Sequence, residues 1–133
     1  MKEEWSIWTP SVIPVGNYEL IKLQQDWNGM GLVFEDDNIR VEISYKEELL
    51  AFRSCDEGDR WRTVDEILRE KGYDFLKNKL LCKVESSEFK EWYVKEGYHV
   101  RNMNEFEHHA FVTGNDIVDV LALTTPKIKT VRL

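Results

Sequence analysis

Three carboxylates and three guanidiniums fall within ten consecutive residues, Arg53-Ser54-Cys55-Asp56-Glu57-Gly58-Asp59-Arg60-Trp61-Arg62. In a pocket, one of these carboxylates would act as a general base, with its pKa set by the surrounding arginines. Such a pocket would use Arg53, Asp56, Glu57 and Arg60, with His109 opposite. The same residue types suit a recognition patch, since Arg and Trp are frequent interface anchors. They also suit a surface loop of mutually compensating ion pairs, each worth about 0–1 kcal/mol.

Glu105, Glu107, His108 and His109 invite a metal reading, because imidazole and carboxylate are the ligands a divalent transition metal takes. Adjacent histidines on a strand point to opposite faces, however, so His108 and His109 do not share one ion. His99 lies in another segment. The pair reads as one solvent-facing and one half-buried histidine. Cys55, a histidine and Asp56 form no local nucleophile signature. The seven glycines are dispersed as turns and caps, without a phosphate-binding loop. No catalytic residue, metal or cofactor is expected.

Charge is distributed unevenly. Residues 1–60 carry thirteen Asp and Glu against six Lys and Arg, whereas residues 61–133 carry twelve of each, so the formal net charge of −7 belongs to the first half. This balance disfavours nucleic acid and anionic membranes, which attract cations. It suits a basic protein partner, met by Glu35, Asp36, Asp37, Asp56, Glu57 and Asp59. Trp27, beside Asn28-Gly29 in a turn, is the candidate aromatic anchor, with packing against a neighbouring loop as the alternative. Ordinary acidic solubility accounts for the same composition.

The elements that must hold these residues follow from periodicity. Ile39, Val41, Ile43 and Tyr45 alternate with Arg40, Glu42 and Ser44, the pattern of a strand with one dry and one wet face. That implies an antiparallel sheet solvated on one side. Strands are also expected at Tyr18–Leu23, Leu32–Phe34, Leu49–Cys55, His109–Thr113 and Ile117–Leu123, with Ile128–Leu133 at an edge. Asp36-Asp37-Asn38 and Gly114-Asn115 are the hairpin turns. Thr63 and Glu66 fit a capping box for a helix that Gly72 ends. A second helix begins at Ser86 or Ser87 and ends at Gly97, with Phe89, Trp92 and Tyr93 on one face and Trp92 in the core. Tyr73–Val84 suits a short helix passing into a strand. Trp5–Pro14 is an aromatic lead-in lying against the body.

The expected fold is α+β, one domain over residues 1–133: an antiparallel sheet of six or seven strands, with two helices inserted mid-chain and packed on one face. A hydrophobic fraction of 42% with five Trp, six Phe and five Tyr excludes a disordered chain. The start lacks a signal-like apolar run, no stretch reaches the roughly 20 apolar residues of a spanning helix, and two cysteines match no zinc or redox spacing, so a cytoplasmic location is expected.

Two stretches carry a family likeness. Phe52-Arg53-Ser54-Cys55-Asp56-Glu57-Gly58, and Thr113-Gly114-Asn115-Asp116-Ile117-Val118-Asp119-Val120-Leu121 followed by Pro126, resemble segments of small cytosolic bacterial proteins, some of which look like immunity proteins accompanying secreted toxins. The order of elements is similar from about residue 15 to the end. The resemblance implies toxin neutralisation by binding, names no toxin and brings no site residues with it. Beside this protein-binding expectation stand a small-molecule binder or enzyme using the Arg53 cleft, and an assembly subunit associating through an apolar patch at the aromatic N-terminus.

Overall fold

The computed structural model describes residues 1–77 and 79–133. Its strands, numbered in chain order, divide between two antiparallel sheets, not the single sheet of six or seven expected. The larger has the order β1 (Glu4–Ile7), β6 (Leu81–Glu85), β7 (Glu107–Val112), β8 (Asp116–Ala122), β5 (Leu49–Asp56). The smaller has the order β2 (Glu19–Asp26), β3 (Gly29–Glu35), β4 (Ile39–Tyr45), β9 (Lys127–Arg132). Two helices complete the fold, α1 (Trp61–Lys71) and α2 (Glu88–Glu96).

Side-chain alternation sets the layers. Phe111, Val118, Val120 and Ala122 of the larger sheet pack against Leu32, Phe34, Val41 and Ile43 of the smaller. Their sequence neighbours point the other way: Ala110, Val112 and Ile117 meet Val64 and Ile67 of α1, and Leu121 meets Phe89 and Val94 of α2. The larger sheet is therefore a middle layer, covered on both faces, which is why β7 and β8 are buried almost throughout. One wet face survives only on the smaller sheet, where Val41, Ile43 and Tyr45 are buried and Arg40, Glu42 and Ser44 are not.

Several local expectations change with this architecture. The lead-in forms a strand at Glu4–Ile7, which pairs with β6 and buries Trp5. Helix α1 starts ahead of the Thr63–Glu66 box, because the Asp56 carboxylate accepts the Gly58 amide (2.8 Å) and starts a tight turn, Glu57–Arg60, that runs straight into the helix. Thr63 is buried instead of capping. Trp92 is 54% exposed, since the stripe of α2 facing the sheet runs through Phe89, Tyr93 and Val94. Tyr73–Lys77 forms turns, not a helix, and Leu81–Glu85 is the strand that follows; Asn78 of that expected helix lies outside the described residues. β9 closes the smaller sheet at the edge beside β4, with three cations along it. No helix among the described residues is long and apolar enough to cross a membrane.

Candidate functional site

Asp119 sits midway along β8 of the middle sheet, opposite Arg53 on β5 and Ala110 on β7. It faces the helices, and its carboxylate is wholly buried. Oδ2 accepts from Arg53 Nε at 2.9 Å and from Arg60 Nη1, while Oδ1 lies 2.7 Å from His108 Nε2. His108 Nδ1 is 2.6 Å from the Ser87 hydroxyl, which also accepts the Lys90 amide at 3.0 Å as the N-cap of α2. One proton arrangement satisfies every group: Ser87 donates to Nδ1, and Nε2–H donates to Asp119. Burial pushes the Asp119 carboxyl up, but the His108 hydrogen bond and the charges of Arg53 and Arg60 outweigh this and hold it well below the carboxylate range.

The order Ser87–His108–Asp119 has the connectivity of a nucleophile triad, yet it lacks the function's requirement of access. All three residues are at most 1% exposed, and Ser87 already has two partners. The Arg53 guanidinium covers the Phe89 ring at 4.3 Å, and Trp5 and Phe89 pack edge-on against His108. The cluster is a clamp. Arg60 ties the start of α1 to the sheet, and Ser87 ties the start of α2. Glu3 adds to it from β1's approach, accepting the Glu88 amide at 2.8 Å. Ser87→Ala removes a cap worth about 1 kcal/mol and leaves a buried ring nitrogen unpaired for about 1 kcal/mol more. The expected loss in urea unfolding is thus about 2 kcal/mol.

His109 does not stand opposite Arg53. It points through the other face of the sheet, between the two sheets, where it is fully buried. Tyr45 Oη lies 2.7 Å from its Nδ1 and Glu107 Oε1 lies 2.9 Å from its Nε2; Lys83 pairs with Glu107 at 2.7 Å. Trp8 stacks on the imidazole at 4.1 Å. Burial lowers the His109 pKa from 6.5 to about 4, only partly opposed by Glu107. Burial likewise raises the Tyr45 hydroxyl well above the usual phenol range, so Tyr45 donates and Nδ1 accepts. Both histidines are therefore buried, where the sequence suggested one facing solvent. The reason is that the middle layer is covered on both faces. Among the described residues no group of three His, Cys, Asp or Glu side chains is arranged to hold a metal.

Of the remaining candidates, the acidic residues gather at one end of the molecule and Trp27 does not. Glu35, Asp36 and Asp37, with Glu19 and Asn17, line an open concavity of about 400 Å³. Asn17 also lines a neighbouring groove of about 410 Å³, whose walls include Glu57, Val64, Leu68, Leu76, Leu80 and Val112. Glu35, Asp36 and Asp37 on one side and Glu57 on the other, about twenty residues apart in sequence, thus line adjoining depressions. Glu35 pairs with Arg40 at 2.6 Å. Asp36 is fixed by the Asn38 and Ile39 amides at 2.8 and 2.7 Å. Asp37, Asp56 and Asp59 are exposed. Arg53 and Arg60 converge on Asp119, not on Asp56 and Glu57. Trp27 is 93% exposed at the β2–β3 turn, packed on no neighbouring loop and at the end of β3 opposite Glu35.

Comparison with known proteins yields no relative: no family model, no curated protein and no solved structure matches the chain.

Proposed function

We propose that this chain is a cytoplasmic protein-binding module that engages a basic partner through its acidic end, in the manner of an immunity protein covering a toxin's cationic active-site cleft. One observation carries the reading. Two acidic segments remote in sequence reach adjoining depressions that share Asn17. Glu35, Asp36 and Asp37 line one and Glu57 the other, and turn amides fix the Asp36 and Asp56 carboxylates before any partner arrives. Preorganised charge of one sign speeds encounter and selects partners of the opposite sign. The buried polar clusters serve this role only by keeping the scaffold rigid, since neither reaches solvent as a reactive group.

The test uses the tagged protein as bait against its own cell lysate and secretome, at low and then moderate salt. A matched bait carries Asp36→Asn, Asp37→Asn, Asp56→Asn, Glu57→Gln and Asp59→Asn, changes that retain the oxygen acceptors capping both turns. The expected outcome is one basic protein held by the native bait, with Kd weakened about tenfold or more for the neutralised one. Equal capture by both baits, or none by either, counts against the reading.

A second reading has its own observation. The apolar groove of about 410 Å³ falls in the size range of small-molecule sites. Of the residues suggested for a ligand cleft, however, only Glu57 lines it. An enzyme built on Arg53, Arg60 and His109 has no shared space, because the arginines and the histidine project from opposite faces of the sheet.

A further inference from the structure

We propose that the apolar groove and the acidic concavity act as one docking channel, and that the partner enters it with a segment bearing an apolar side chain beside Lys or Arg. This rests on the reading above, that the partner is a basic protein, and specifies how it is held.

The channel's two halves differ in chemistry. Val64 and Leu68 of α1, Leu76, Leu80 and Val112 give the groove an aliphatic floor, of which Val64, Leu80 and Val112 are nearly buried. The adjoining concavity presents Glu19, Glu35, Asp36 and Asp37 with Asn17 and Asn38. Asn17 lines both, so the two depressions adjoin at that residue and a bound chain passing over it reaches both.

The boundary is also rigid. A Cβ on Gly16 would come within 2.3 Å of Asp36 Oδ2, so the carboxylate lies directly on the bare backbone of the lead-in segment. Two amides of the β3–β4 turn hold the other oxygen of Asp36. A preformed wall of this kind lowers the ordering cost of association. An apolar anchor alone would leave the acidic half unpaired, and a uniformly basic segment would place charge against Leu68 and Leu76 and beside Lys77 and Lys79, which also line the groove. The occupant that satisfies both halves is amphipathic along its length: an aliphatic or aromatic residue, then one or two cations a few residues away.

The probe is a pair of synthetic peptides titrated into the native protein at low salt. One carries Phe-Gly-Lys-Lys between Gly-Ser flanks, and its twin has Ala in place of Phe. Backbone amide shifts are followed at Asn17, Asp37, Thr113 and Gly114. The aromatic peptide is expected to move all four and to bind about tenfold more tightly than its twin, as burial of one large apolar side chain implies; the twin should move Asn17 and Asp37 but neither Thr113 nor Gly114. Equal affinities, or shifts confined to the acidic side, overturn the channel. So does decanoate, if it moves Thr113 and Gly114 more strongly than the aromatic peptide, because the groove then takes small anions through its lysines.

Leu76→Asp, in the half-buried loop, separates the two levels when used as bait. Capture abolished by acid neutralisation and weakened about tenfold by Leu76→Asp supports both readings. Capture sensitive to neutralisation but indifferent to Leu76→Asp overturns the channel and leaves the acidic end as the binding site. Capture indifferent to both overturns both.

Discussion

Asp119→Ala is expected to lower folding stability by about 3–5 kcal/mol at neutral pH, the range for removing one partner of a buried ion pair. The loss comes less from the attraction forfeited than from what remains. Arg60 and His108 would stay in a dry layer without their acceptor, and Arg53 would keep only its contact with the Phe89 ring. Arg53→Ala should cost far less, because its side chain is 37% exposed and Arg60 still neutralises the carboxylate. Urea unfolding of the two variants measures the difference. Because Arg60 leads into α1 and His108 orients the α2 cap, amide exchange should rise first in both helices of the Asp119 variant. A change under about 1 kcal/mol would mean the cluster does not clamp the layers, since it would fall below the usual cost of even one unpaired buried polar group.

Stability should also fall by about 3 kcal/mol between pH 6.5 and pH 4 through His109 alone. Its folded pKa is depressed to about 4 from 6.5, so across this window the unfolded chain binds a proton that the folded chain refuses. Stability therefore rises with pH there and is complete above 6.5. Protonation would set a charge between the sheets against Tyr45, which is itself held neutral by burial. Asp119 acts in a separate and lower window: its depressed pKa gives stability that is present above the unfolded value and lost as pH falls towards the folded one. His109→Gln keeps hydrogen-bonding groups toward Tyr45 and Glu107 but cannot titrate. Its unfolding free energy should vary much less than the native protein's between pH 6.5 and 4, and identical slopes would assign the pH dependence to other groups.

What the sequence made legible was local. The Ile39–Tyr45 alternation, the Asp36-Asp37-Asn38 and Gly114-Asn115 turns and the Ser87 cap all depend on neighbours within a few residues, and all appear. The division into two sheets depends on distant pairings such as Trp5 with Val84, Arg53 with Asp119 and Ile43 with Ile128, which no local pattern encodes. From that one omission the other differences follow. A middle sheet covered on both faces buries His108 and His109 together and sends them into unrelated networks. It also takes Arg53 and Arg60 away from Asp56.

The signal for the Asp119 cluster was present nonetheless. A lone carboxylate interrupts the apolar run Ile117–Ala122, and a charge at such a position demands buried partners. Which groups would supply them was not readable, since Arg53, Arg60 and His108 come from three different parts of the fold. The acidic residues were visible as composition but not as a surface. Their convergence needs Tyr18 and Asn17 folded beside Leu80 and Val112, which brings the β3–β4 turn and the exit of β5 to the same end. Trp27 departs from them because β3 separates the two turns by about 20 Å, at roughly 3.3 Å per residue.

Hydrogen exchange on the complex with the captured partner tests the central claim most directly. Binding at the acidic end predicts added protection at residues 16–19, 35–38 and 56–59, with residues 26–28 around Trp27 unchanged. Protection centred on the Trp27 turn, with the acidic segments exchanging as in the free protein, would contradict it.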